Sequence, residues 1–316
     1  MPSFDAVNYA IRPNKAVERS IVFSGLVELS RIVDLNAHQY VGLGSLWFVD
    51  FLMAHKALGI KSMISIEQSE IGYNRSEFNR PLACIKVVRG ESSLVIPDLD
   101  LENSPSLVWL DYDSSIGGPV IPDIELLISR CAPNSIVIVT INAKRDELPD
   151  KDENDVDIDP ETSLRRIAGD LVPNPLPNKV FQRQHYPRLL CEVLTNQLQN
   201  ATVNSGRTES FIKLFELVYS DGTPMVTVGG IVAATDKVDT IRQLAEAADW
   251  EGIVPKPIAV PPLTVKEKLA LDRMMPSLNS PTDEQMKVIG FQLKREQIDT
   301  YHKHYRHYPM FGEIHL

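Results

Sequence analysis

Between Gln39 and Ile141 the chain alternates short apolar runs with longer stretches of helical period. Gln39–Val41, Lys61–Ile66, Ala83–Val88, Ser106–Leu110 and Ser135–Ile141 are rich in β-branched and apolar residues and have strand lengths. Runs of this kind, separated by helices or loops, predict a parallel sheet covered on both faces. Leu46–Leu58 and Asp123–Cys131 read as two of the intervening helices. Ahead of the first strand, Pro13 suits the first turn of a helix. Lys15–Val33 then places Val17, Ile21, Val22, Leu26, Leu29 and Ile32 near helical spacing, which predicts a helix packed across one edge of the domain.

The second half has a different texture. Asp146–Glu161 holds nine acidic residues and one lysine, a solvated loop or a mobile lid. Leu171–Lys179 is too rich in Pro and Asn to be regular, and Tyr186–Gln199 is helical. Phe211–Tyr219 and Met225–Ala234 are β-prone and flank Ser220-Asp-Gly-Thr223, so they predict a hairpin. After Trp250 come a proline-punctuated linker, Pro255–Pro262, and two short helices, Thr264–Met275 and Thr282–Ile289. The end, Tyr301–Phe311, is crowded with tyrosines and with His302, His304 and His307; it reads as a tail packed onto the main domain, with a metal site as the rival. The division that results is a helical extension over 1–35, a main domain over 36–250 with an insertion at 144–185, and an appendage over 251–316.

Composition narrows the class. The 43% of hydrophobic residues is enough for a sizeable core. A net charge of -10 argues against a broadly basic nucleic-acid footprint. Cys84, Cys131 and Cys191 are few, odd in number and far apart, which suits a reducing compartment and no disulfide framework. Met1–Arg12 carries no apolar signal segment, and Leu46–Leu58 is too short and too charged to span a bilayer. The expectation is a cytoplasmic protein with no membrane partner; oligomeric state is left open.

Candidate chemistry clusters at the ends of the predicted strands. Tyr40-Val-Gly-Leu-Gly-Ser45 is a strand running into a glycine turn before a helix, which lets a nucleotide-like ligand approach the backbone at Gly42, Gly44 and Ser45. Glu67, 23 residues past Gly44, ends strand two, where an acid can accept from both ribose hydroxyls. Glu91 or Ser92, just past strand three, can accept from an adenine amine. Asp111, Tyr112 and Asp113 follow strand four, where two carboxylates are costly to desolvate without a purpose.

Val41-Gly-Leu-Gly-Ser45, Ile66-Glu67, Gly90-Glu91-Ser92, Leu110-Asp111-Tyr112 and the late hairpin together resemble the class I S-adenosylmethionine-dependent methyltransferases over about residues 38–235. The chain also looks like a set of bacterial proteins described as O-methyltransferases, through Arg12-Pro13-Asn14-Lys15, Val41–Ser45 and Trp109-Leu-Asp-Tyr-Asp113. The likeness implies a Rossmann-like doubly wound sheet, five parallel strands and a late antiparallel hairpin, with S-adenosylmethionine as donor. It departs from the usual turn: Tyr40 stands where an acid is common, and Leu46 and Trp47 follow Ser45 where a third glycine is.

Three chemistries follow from the resemblance. Lys15, Asp111, Lys144 and Glu216 occur in the order of the Lys-Asp-Lys-Glu set of ribose 2′-O-methyltransferases, where a desolvated lysine near other charges has its pKa lowered toward neutrality. Asp111 and Asn142 match two ligand positions of the metal-dependent catechol-type enzymes; Mg²⁺ is the lesser alternative, because Ile141 stands where a second acid is expected. Asp111-Tyr112 is a distant echo of the acid-Pro-Pro-aromatic motif of base amino-methyltransferases. Arg12, Lys15 and Arg19 form a basic cluster that could hold a substrate phosphate, or pair with Glu18 or Glu28 on the surface. Tyr112, Asp113 and Asn142 complete the acceptor side. The acceptor is a small molecule or a nucleic acid, and the alternative outside enzymology is a binding protein that retains the fold.

Overall fold

In the computed structural model, residues 12–44 and 46–310 are described. The elements run α1 Pro13–Leu29, β1 Gln39–Leu43, α2 Val49–Leu58, β2 Ser62–Glu67, α3 Glu70–Asn79, β3 Ile85–Arg89, α4 Ser92–Val95, β4 Ser106–Asp111, α5 Val120–Arg130, β5 Ile136–Asn142, α6 Pro160–Ala168, α7 Tyr186–Asn204, β6 Ser210–Ser220, β7 Pro224–Ala233, α8 Val238–Ala245, α9 Val265–Asp272, α10 Asp283–Ile289 and α11 Arg295–His304.

The strands form one seven-stranded sheet in the order β3-β2-β1-β4-β5-β7-β6. β1 to β5 are parallel, and β7 is antiparallel to both of its neighbours. The strand order reverses at β1, between β2 and β4. In an open α/β sheet a ligand crevice lies at such a reversal, outside the carboxyl ends of the strands.

The sheet has two packed faces. Tyr40, Trp109, Ile138 and Leu217 point to the face covered by α1, α2 and α8. Val41, Leu110, Val139 and Val228 point to the face covered by α5 and α7. Leu164 and Ala168 of α6 join this second core. The segment expected to be a solvated loop or lid is therefore anchored: its acidic part folds back through Asp152 N to Val156 O, and a helix follows. Asp159 caps that helix by accepting from the backbone N–H of Glu161 and Thr162.

The C-terminal stretch is no separate lobe. Leu271, Met286, Ile298, Tyr301 and Tyr308 belong to the same core as α1. The proline-rich run ahead of them lies along β6, where Val254 N donates to Glu216 O at 3.0 Å and Ile258 N to Val218 O at 2.7 Å. This covers an edge that would otherwise present unpaired backbone groups. His307 bonds Ser20 Oγ and Glu251 Oε2, each at 2.9 Å, so the histidine-rich end packs against α1. No described helix is long and apolar enough to cross a membrane.

Candidate active site

The tips of β1, β2 and β3 stand side by side. Gly44 N donates to Ile66 O at 2.5 Å, and Gly90 N to Glu67 O at 3.0 Å. Gly42 pairs with Trp109 across β1 and β4, so Asp111, two residues on, is level with Gly44. Ser45 lies outside the described residues. The turn needs its glycine at 44: a Cβ there would overlap Glu67 Oε2 and stand 3.0 Å from Ile66 O. Gly72 of α3 does the same from the other side, where a Cβ would be 2.5 Å from Glu67 Oε1. The Glu67 carboxyl is thus held between two glycines, with Oε1 accepting from Ser69 N. Burial pushes its pKa up, and the Ser69 hydrogen bonds pull it back. A carboxylate at the end of β2, with one oxygen toward a glycine turn that has no side chain, fits a ribose. Glu91 accepts from Gln68 Nε2 at 3.0 Å, and Ser92 lies against the Tyr112 hydroxyl beside it.

Beneath the tip of β4 is a buried charge cluster. Lys15 Nζ is 2.8 Å from Asp111 Oδ2 and 3.4 Å from Glu18 Oε2, under the rings of Trp109 and Tyr219. Arg19 Nε is 2.7 Å from Asp50 Oδ1. Lys15, Glu18 and Arg19 are at most 4% exposed, whereas the Asp111 side chain is 27% exposed. Asp111 is therefore the member most open at the strand tips.

The sequence fold puts α1 here for a local reason. Arg12, the residue before the helix, offers no capping side chain. Asp221 of the β6–β7 turn supplies the cap from a distance, accepting from Asn14 N at 3.2 Å and Lys15 N at 2.9 Å. Asn14 Nδ2 donates to Ser220 O at 2.9 Å, and Arg12 Nε is 3.8 Å from Asp221 Oδ2. An anion at a helix N-terminus satisfies orphan N–H groups and the macrodipole together.

Several expected roles change. Lys15 is not a lysine of lowered pKa. Burial alone would lower it, but Asp111 and Glu18 outweigh burial and the net shift is upward; the side chain is held as a cation and cannot take a proton. Lys144 is exposed, and Glu216 points to the opposite face, bonded to Arg188 of α7 at 2.8 Å and to Lys213 at 2.6 Å. The four-residue lysine set is not assembled. Arg19 is buried on Asp50 and Arg12 is at Asp221, so the basic cluster does not face a substrate phosphate, and Glu18 is interior rather than on the surface. Tyr112 is committed to Asp123, donating at 2.6 Å inside the second core. Asp113 is exposed on the loop past β4.

Asn142 Oδ1 accepts from Lys144 N at 2.8 Å, while Asp111 Oδ2 is on Lys15. Among the described residues no group of three His, Cys, Asp or Glu could hold a metal ion. The residues present do not fit the Mg²⁺ scheme.

Sequence reasoning named Glu18 only as a surface partner and gave no role in the site to Asp50, Thr140, Thr227 or Asp221. Two of them carried a signal. Glu18 is one turn after Lys15 on the same helix face, and Asp50 is a charge inside an apolar run.

The strand order, with a glycine turn after β1, is that of the class I methyltransferase fold. Residues 7–316 match the model of a family described as "Putative O-methyltransferase", and the chain belongs to that family. No curated protein is a significant match by sequence. Among solved structures, Trm1 from Pyrococcus horikoshii with S-adenosyl-L-methionine is similar at 13% identity and TM-score 0.47, over 72% of this chain. The chain spans 57% of that protein's length. The O-methyltransferase TomG from Streptomyces achromogenes, in complex with SAM, is similar at 13% identity and TM-score 0.37, over 73% of this chain and 94% of that one.

Proposed function

We propose that this protein transfers a methyl group from S-adenosylmethionine to a hydroxyl oxygen of its acceptor. The observation that carries the reading is the reversal of strand order at β1, with Glu67 ending β2 on one side and a part-exposed Asp111 ending β4 on the other. The donor, when bound, supplies a methyl on a positively charged sulfur, open to in-line displacement. Glu67 would accept from the ribose hydroxyls, and Glu91 or Ser92 would face the adenine. On the acceptor side Asp111 does the work. Its Oδ2 is held on Lys15, which restricts the carboxylate, and in this reading Oδ1 would receive the hydroxyl proton as the new O–C bond forms. Water then takes that proton on. Lys15 contributes charge and orientation, not basicity.

An acidic protein whose Arg12 and Arg19 are both engaged internally favours a small hydroxyl acceptor over a nucleic acid. Calorimetry with S-adenosylmethionine tests the donor, and a radiolabelled methyl-transfer screen over small molecules, RNA, DNA and protein tests the acceptor. Transfer should survive EDTA and should be lost in Asp111→Asn even at donor concentrations that saturate the variant. Transfer that persists at wild-type rate in Asp111→Asn would refute the assignment.

A further inference from the structure

Glu18 is a fully buried carboxylate that the scheme above does not use. Its surroundings fix its charge. Trp109 Nε1 is 3.0 Å from Thr140 Oγ1, Thr140 Oγ1 is 2.8 Å from Thr227 Oγ1, and Thr227 Oγ1 is 2.6 Å from Glu18 Oε1. An indole N–H can only donate. The arrangement of these groups that leaves no hydroxyl hydrogen without an acceptor runs one way: Trp109 to Thr140, Thr140 to Thr227, Thr227 to Glu18. The other oxygen, Oε2, faces the Lys15 ammonium, again a donor only. A proton on either oxygen would point at a donor. Burial raises the Glu18 carboxyl on balance, with Lys15, Thr227 and Arg19 acting against that rise and Asp111 adding to it. The hydrogen-bond directions favour the carboxylate.

With Glu18 ionised, the cluster holds two cations, Lys15 and Arg19, against three carboxylates, Glu18, Asp50 and Asp111. Without it the cluster is neutral. Charge in so enclosed a place is poorly screened. We infer that Glu18 sets the crevice one charge negative, and so makes it prefer the cationic sulfonium donor over the neutral thioether left after transfer. Glu18 is a charge-setting and positioning residue, and it acts through Lys15 and Asp111 rather than by touching a ligand. Its effect is to favour donor entry and product release. The inference rests on the donor reading above.

The test needs no acceptor. Dissociation constants for S-adenosylmethionine and S-adenosylhomocysteine are measured on the full chain by calorimetry, for wild type and for Glu18→Gln. Wild type should bind the sulfonium more tightly than the thioether, and Glu18→Gln should lower that preference on the order of five- to tenfold, mainly by weakening the sulfonium. A merely structural role would weaken both ligands alike and leave the ratio unchanged, which would overturn the inference. A wild-type ratio that already favours the thioether would overturn it without any variant, should Glu18→Gln fail to fold. Binding of neither ligand would instead refute the donor reading.

Discussion

Replacing Lys15 by Met keeps the length of the side chain under Trp109 and Tyr219 and removes its charge. Two carboxylates then face each other with no cation between them: Glu18, fully buried, and Asp111, partly so. Breaking a buried pair from one side costs about 3–5 kcal/mol, because the remaining charge is left unpaired. For a chain of this length that is a fall in Tm of roughly 5–8 °C. The cost should depend on pH. Burial raises the Glu18 carboxyl in the native state, and Lys15 opposes that rise. Without Lys15 the native value climbs further above the unfolded one. An acid raised in this way contributes stability below its unfolded pKa and loses it as pH rises through the folded value. Lys15→Met should therefore be less destabilised relative to wild type at pH 5.5 than at pH 8.5. Paired thermal and urea melts at the two pH values measure it. A loss under about 1 kcal/mol, or the same loss at both pH values, would show that Lys15 is not the counter-ion that makes Glu18 tolerable.

Three further expectations are independent of that one. Gly44→Ala forces a methyl into Glu67 Oε2 and the Ile66 carbonyl, so donor affinity measured by calorimetry should fall at least about tenfold, as in Glu67→Ala; an unchanged affinity would remove Glu67 from the ribose site. Asp221→Ala strips the cap from α1 and should cost about 1–2 kcal/mol in a urea melt, with Asp221→Asn recovering part of it. His304 is buried, and burial, then Lys303 and His307, depress its pKa to about 4 against the pull of Glu251. The neutral form is native, so its contribution is present above pH 6.5 and is lost as pH falls toward 4; roughly 3 kcal/mol is at stake, and His304→Leu should flatten the pH dependence of Tm over that window.

The central strands were legible because they are buried on both faces, so apolar runs such as Val137–Ile141 have no polar alternation to confuse them. The hairpin was legible from its Asp-Gly turn. What could not be read were the helices with little apolar surface to bury. α3 buries only Gly72 and Ser76, and it is set by the Ser69 cap rather than by a periodic face. α6 hides in an acidic stretch, though Asp159-Pro160 is a capping residue followed by proline at the first turn, a signal that was present. α2 begins at Val49, not Leu46, because Phe48 takes a left-handed conformation at φ 49° and breaks the turn before it.

Lys15 and Asp111 were readable as candidate residues but not in their charge state. Lys15 and Asp111 stand together, but the direction of the lysine's shift depends on how many carboxylates surround it, and Glu18 and its hydroxyl chain come from three elements far apart in sequence. Spacing along a chain says nothing of that count. A second carboxylate is what turns a buried lysine from a candidate base into a fixed cation.

α1 is tied to the rest of the chain at several points. Its first turn is capped by Asp221 from the far hairpin, its second layer places Lys15 and Glu18 between β4 and β7, and Arg19 ties it to Asp50 at the start of α2. Each of these contacts joins a charge on α1 to a different part of the crevice. Ions that are buried need their full set of partners, so none of the pieces can shift without leaving another unpaired. The helix therefore fixes the relative positions of the β4 tip, the hairpin and the glycine turn's helix, and Asp111 stands at the strand tips with one oxygen held on Lys15.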